Sequence, residues 1–151
     1  MKKRLTIALV AHDNRKADLV EWAVYNADFL AQHKLVCTGT TGSLVAKAMK
    51  EKGVKADISC MNSGPLGGDA EIAAMVVRKE VNMAVFLIDD LNAQPHEADI
   101  QMLLRQCRVH NVPIACNRYS ADLMITSTLW DNEDYKPTEP KYVFFKRSKA
   151  K

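Results

Sequence analysis

A chain of 151 residues, 48% hydrophobic and 26% charged, has one domain's length and a soluble globule's balance, which excludes a disulfide-stapled miniature, a two-domain enzyme, a disordered segment and a collagen-like one. The formal net charge of +3 misleads: positions 141–151 carry five basic side chains (Lys141, Lys146, Arg147, Lys149, Lys151) and no acid, and without them 16 basic residues face 18 acidic ones, a net of −2. A basic tail on a near-neutral body, with no aromatics interleaved among basic residues elsewhere, reads as a solvated end and gives no nucleic-acid surface.

The apolar run Leu5–Ala11 predicts a first strand. Behind Met-Lys-Lys-Arg it superficially resembles a signal peptide, but His12, Asp13 and Asn14 end it too soon, so a cytoplasmic protein is expected. From Lys16 to Gln32, Leu19, Val20, Ala23, Val24, Ala27 and Leu30 fall at helical spacing and predict one helix. Strand Leu35–Thr38, helix Gly42–Lys52 stopped by Gly53, strand Ala56–Met61 and helix Asp69–Lys79 follow. Strand Met83–Ile88, helix Ala98–His110, strand Val112–Asn117 and a shorter helix from Ser120 complete the series. No apolar run approaches the roughly 20 residues of a membrane-spanning helix, so no membrane contact is expected.

This alternation predicts βαβ units and a single-domain, doubly wound α/β fold, Rossmann-like or flavodoxin-like, with three layers and a five-stranded parallel sheet. The whole chain, 1–151, reads as one domain with its core at about 5–127 and a basic tail from about 131. In that tail Tyr142–Phe145 is expected to add a strand or to reach a neighbouring subunit. Cys37, Cys60, Cys107 and Cys116 form no C-x-x-C motif and read as reduced, buried small hydrophobes.

In such a sheet ligands bind outside the carboxyl ends of the strands, and the chemistry-bearing residues fall on that edge. His12-Asp13-Asn14-Arg15-Lys16 follows the first strand and Thr38-Gly39-Thr40-Thr41-Gly42 the second. Ser63-Gly64-Pro65-Leu66-Gly67-Gly68-Asp69 follows the third, and a long polar loop from Asp89 to Asp99, holding His96, the fourth. Glycines that admit close backbone approach, threonine hydroxyls and a helix N-terminus describe a phosphate cradle, although a capped turn of the same composition would look alike. Neither a P-loop nor a dinucleotide fingerprint is present. Asp69 fits a helix cap or a catalytic carboxylate. His96 in so long a loop points to function, whereas His33 and His110 read as solvated. Lys16 opens a helix where the dipole disfavours a cation, which makes sense beside an anion; Asp13 and Asp89 read as acids that order their loops.

Taken together, "ALVAHD" with Lys16, "TGTTG", "SGPLGGD" and "DDLNAQPHEAD" make the chain resemble the methylglyoxal synthase family over roughly residues 5–127. The resemblance implies an enzyme that converts dihydroxyacetone phosphate to methylglyoxal and inorganic phosphate, without metal or organic cofactor, as a cytoplasmic homohexamer. It implies Asp69 as the catalytic carboxylate, His96 as the group polarising the carbonyl, and Asp99, Asp13 and Asp89 as supporting acids. Phosphate and substrate contacts fall on His12, Lys16, Thr38, Gly39, Thr40, Thr41, Ser63 and Gly64. Asp90 stands where the family usually has proline and Cys116 where threonine is common. The family's C-terminal arginine has no clear counterpart except Arg147. The alternatives are a binding-only regulatory domain of the same fold, an enzyme acting on another phosphorylated carbonyl compound, and a phosphorelay receiver. A receiver needs a phosphoacceptor carboxylate after the third strand, where Asn62-Ser63-Gly64 stands.

Overall fold

The computed structural model describes residues 3–142, with a strand at each of the five apolar runs. β1 (Thr6–Ala11), β2 (Lys34–Thr38), β3 (Asp57–Met61), β4 (Met83–Leu87) and β5 (Ile114–Ala115) pair in parallel in the order β3-β2-β1-β4-β5. Strand order reverses between β1 and β4, which opens a crevice at their carboxyl ends. The helices are α1 (Lys16–Tyr25), α2 (Ala27–Leu30), α3 (Gly39–Glu51), α4 (Gly68–Val77), α5 (Glu97–Val109) and α6 (Arg118–Thr126).

Both faces of the sheet are covered, so the central strands are apolar at successive positions instead of alternating. Along β1, Ile7 and Leu9 pack on one side against Leu19 and Trp22 of α1, Val45 of α3 and Ile125 of α6. Ala8 and Val10 face the other side, against Ile72 and Val76 of α4 and Ile100 and Leu103 of α5. Among the described residues no helix is long and apolar enough to cross a membrane.

Four boundaries differ from expectation. The helix predicted over 16–32 breaks at Asn26, whose side-chain amide and backbone N–H both donate to the Trp22 carbonyl, so that a side-chain bond competes with helix continuation. α3 begins three residues before Gly42: Gly39, at φ +29°, lets the chain turn directly from β2 into helix. β5 shrinks to two residues because Pro113 has no N–H to pair and Asn117 caps α6, accepting from the Ser120 N–H at 2.8 Å. The loop after β4 ends at His96, and Asp99 lies in the first turn of α5.

Two readings of single residues also change. His33 is buried, its Nδ1 accepting the Leu5 N–H at 2.9 Å, whereas His110 is half-buried at the end of α5. Cys37 and Cys107 are buried as expected, but Cys60 and Cys116 are exposed.

After α6 the described chain forms no further helix or strand and crosses the amino ends of the sheet. Trp130 Nε1 donates to the Ile125 carbonyl, the Lys3 N–H to Asp131 and the Asn111 amide to the Thr138 carbonyl. Tyr142 is in no strand, and the rest of the predicted Tyr142–Phe145 strand, with Arg147, lies outside the described residues.

Candidate active site

The carboxyl ends of β1, β2 and β3, with the loop after β4, enclose a cleft of about 350 Å³. His12, Asp13, Lys16, Thr38, Gly39, Thr40, Thr41, Ser63, Gly64, Asp69 and His96 all line it, so four segments distant in sequence converge. A larger cavity, about 730 Å³, lies at the opposite end of the sheet between Leu5, Met83, Val112 and Trp130. Its described lining holds no acid or histidine, so acid–base chemistry belongs to the smaller cleft.

One wall is the start of α3. Thr38 precedes it in extended conformation, and the first N–H groups of a helix have no intrahelical partner. The Gly39 N–H is spent on the Asn62 carbonyl at 3.1 Å. A side chain at Gly39 would collide with Ser63, its Cβ lying 2.7 Å from the Ser63 Cα, so glycine lets the second and third loops touch. The Thr41 hydroxyl is buried and unpartnered at this wall. Lys16 Nζ donates to Thr40 Oγ1 at 2.7 Å and pairs with the exposed Asp13 at 2.6 Å, a bond that holds the Asp13 carboxyl below the usual range. A cation, a hydroxyl pair and a positive helix end thus face one volume, a combination suited to a phosphate group.

The floor is Asp69, one residue into α4 and fully buried. Its position is fixed by the loop before it, where both the Asn62 N–H and its side-chain amide are held by Glu71 Oε1. Neither Asp69 oxygen has a hydrogen-bond partner. Burial pushes its carboxyl up, the neighbouring His96 opposes that shift, and the charge of Asp99 adds to it. His96 Nε2 stands 3.3 Å from Asp69 Oδ2 without hydrogen-bond alignment. A Cβ on Gly64 would lie 2.7 Å from His96 Nε2, so this glycine leaves the pair room.

His12 completes the floor, its ring 5.5 Å from that of His96 and 5.2 Å from Phe86, edge-on to both. Its Nδ1 accepts the Asp89 backbone N–H at 2.8 Å, so the neutral ring carries its proton on Nε2, which is buried and unpartnered. Burial and then His96 lower the His12 pKa, keeping the ring neutral and its Nε2–H available as a donor. The Asp89 carboxylate does not line the cleft. It accepts from Asn92, Asn14 and the Leu91 N–H, bonds that hold its carboxyl below the usual range, Asn92 contributing most. Asp99 does not line it either and acts on it through Asp69.

One ligand atom each from His12, Asp69 and His96 lies within 4.8 Å of the others, close enough in distance for a metal ion. The donor chemistry opposes this. A ligating histidine offers one lone pair and donates its other N–H outward, whereas the Asp89 N–H already takes the His12 lone pair and leaves a proton facing the cleft.

Sequence reasoning missed Gln94 and Pro65 in the lining and the anchoring roles of Asn14, Asn92 and Glu71. Gln94 stood within a recognised segment. The anchors carry no signal of their own, since each acts through a fold-made bond. Of the two departures from the family pattern, the Cys116 thiol is pushed up by partial desolvation and then by the charge of Asp90.

Fold and cleft together are those of an MGS-like domain, and the family model of that description matches residues 18–116. The chain is 68% identical over 147 residues to a methylglyoxal synthase of Treponema socranskii, covering 97% of this chain and 93% of that protein. It is 48% identical over 130 residues to one of Yersinia pestis, covering 86% and 81%. A crystal structure of methylglyoxal synthase from Elizabethkingia anophelis superposes with a TM-score of 0.82 at 37% identity, covering 97% of this chain and 93% of that one. The chain belongs to the methylglyoxal synthase family, and the catalytic reading is favoured over a binding-only domain.

Proposed function

We propose that this chain converts dihydroxyacetone phosphate to methylglyoxal and inorganic phosphate in the cytoplasm. It acts as one domain over residues 1–151 within a homohexamer, and its reaction needs no metal or organic cofactor. Asp69 takes a proton from the hydroxymethyl carbon, and charge develops on the carbonyl oxygen as an enediolate forms. His96 donates to that oxygen, and the His12 Nε2–H supplies a second, fixed donor. Lys16, Thr38, Gly39, Thr40, Thr41, Ser63 and Gly64 hold the phosphate.

The next step is decided by geometry. With the C–O bond to phosphate perpendicular to the enediolate plane, that bond overlaps the π system and phosphate leaves with the electron pair. The enol left behind takes a proton on its methylene carbon and becomes methylglyoxal. With the bond in the plane, phosphate stays and isomerisation results. The cradle therefore selects the product by fixing one torsion.

The observation that carries this reading is a fully buried carboxylate without hydrogen bonds, 3.3 Å from a histidine, on the floor of the cleft that Lys16 and the start of α3 enclose. Such a carboxylate is desolvated and basic, as abstraction of a carbon-bound proton requires. The test is incubation with dihydroxyacetone phosphate while following phosphate and methylglyoxal. Equal release of both by the wild type and its loss in Asp69→Asn is the expected result. Release of neither by the wild type, or undiminished release by the variant, refutes it.

A further inference from the structure

Two cysteines stand where the cleft's two glycine loops leave the sheet. Cys37 and Cys60 are direct partners in the parallel register of β2 and β3. Adjacent strands lie about 4.8 Å apart, within the Cα separation that a disulfide spans. Both side chains lie under the same turn of α3: a Cβ built on Gly42 would be 2.5 Å from Cys60 Sγ and 3.0 Å from Cys37 Cβ. Cys60 is exposed to solvent and Cys37 is buried. The residue after Cys37 is Thr38, and Ser63 lies three residues past Cys60, so each cysteine leads into a loop that lines the cleft.

We propose that Cys37 and Cys60 form a reversible disulfide under peroxide, one that draws the two loops out of their working geometry. The Cys60 thiolate attacks a peroxide oxygen; the O–O bond breaks, hydroxide leaves, and the sulfur, oxidised by two electrons, becomes a sulfenic acid. The Cys37 sulfur then attacks that sulfur; an S–S bond forms, the S–O bond breaks, and the thiol proton leaves with the hydroxide as water. Burial pushes the Cys37 thiol up to about 12, so the second step relies on the high local concentration of a fixed neighbour and not on a ready thiolate. Cβ atoms of a disulfide sit about 3.5–4.5 Å apart, closer than unbridged neighbours on parallel strands, so the bridge is strained and readily reduced.

The loss of activity rests on the function proposed above, whereas bridge formation does not. The experiment treats the protein with hydrogen peroxide, maps peptides by mass spectrometry without reduction, and measures turnover of dihydroxyacetone phosphate before and after dithiothreitol. The expected result is a Cys37–Cys60 peptide pair lighter by two hydrogens and a fall in turnover of about tenfold, the scale of a sub-ångström displacement of substrate-holding groups, restored by reductant. Cys60→Ser keeps basal activity and is resistant, and Cys116→Ser, which removes the other exposed thiol, stays sensitive. Oxidation of Cys60 that stops at a sulfinic acid, sensitivity that disappears with Cys116→Ser, or a bridge that leaves turnover of an active enzyme unchanged overturns the proposal. A protein that forms the bridge but never turns over this substrate refutes the functional reading instead.

Discussion

The two ends of the sheet each hold a buried histidine with the same local bond, and they do different work. At the carboxyl ends, His12 Nδ1 accepts the Asp89 N–H at 2.8 Å; at the amino ends, His33 Nδ1 accepts the Leu5 N–H at 2.9 Å. The rest of the His33 ring is packed between Phe29 and Trp130, with centroids 4.6 and 5.4 Å away. His12 turns its far edge toward His96 and Asp69 in an open cleft. A buried imidazole that satisfies a backbone N–H is therefore not in itself a sign of catalysis. What the opposite edge of the ring meets separates a brace from a reagent.

The strongest way to test that contrast is to remove the reagent end. Asp69→Asn is expected to lower kcat by about 10² to 10⁴-fold, the typical worth of a positioned proton acceptor. The same change raises thermal stability. A carboxyl whose folded pKa lies above its unfolded one favours folding while protonated and loses that advantage as pH rises through the raised value. The gap in Tm between variant and wild type thus widens from acid toward neutral pH in scanning calorimetry. A variant that is inactive and less stable throughout contradicts this account. Wild-type kcat/KM falls on acidification through the same raised value, and a pH–rate profile with its acid limb at an ordinary carboxylate pKa tells against Asp69 as the base.

Next in size is the histidine pair itself. His12→Asn removes a preorganised donor and should cost about 10² to 10³-fold in kcat. His33→Leu leaves activity of the folded protein near wild type but strands the buried Leu5 N–H, at a cost of about 1–3 kcal/mol in urea unfolding. Reversal of these two outcomes would dissolve the distinction. Gly64→Ala places a methyl group against His96 Nε2 and is expected to lower kcat by up to about 10²-fold with little change in KM.

The smallest effect belongs to the cradle. Lys16→Ala should raise KM for the phosphorylated substrate by about 10- to 100-fold, the range for one hydrogen bond to a charged group, while kcat changes less. Initial-rate kinetics separate the two parameters, and an unchanged KM removes Lys16 from phosphate binding.

The five strands were legible because a sheet buried on both faces demands apolar runs, and Ile7–Ala11 and Met83–Leu87 meet that demand residue by residue. The edge strands were harder: β3 is partly exposed, and Pro113 and Asn117 shorten β5 for reasons of hydrogen bonding. The break at Asn26 escaped periodicity because hydrophobic spacing runs straight through it. In the cleft, Asp69, His96, Lys16 and the Thr/Gly loop could be singled out because a sheet of this kind gathers its strand ends. Asp99 falls at the overlap of the predicted loop and the predicted helix because helix propensity says little about where the first turn begins.

Composition and order along the chain thus determined the layered architecture, the edge at which chemistry collects, and the residue types available there. The protonation and freedom of those residues were decided only by tertiary structure. The Asp89 N–H assigns the His12 proton, the surrounding apolar packing makes Asp69 basic, and Gly64 sets the room at His96. The physical reason is that a pKa or a tautomer belongs to an environment, and that environment is built from segments 77 and more positions apart, which no local pattern encodes.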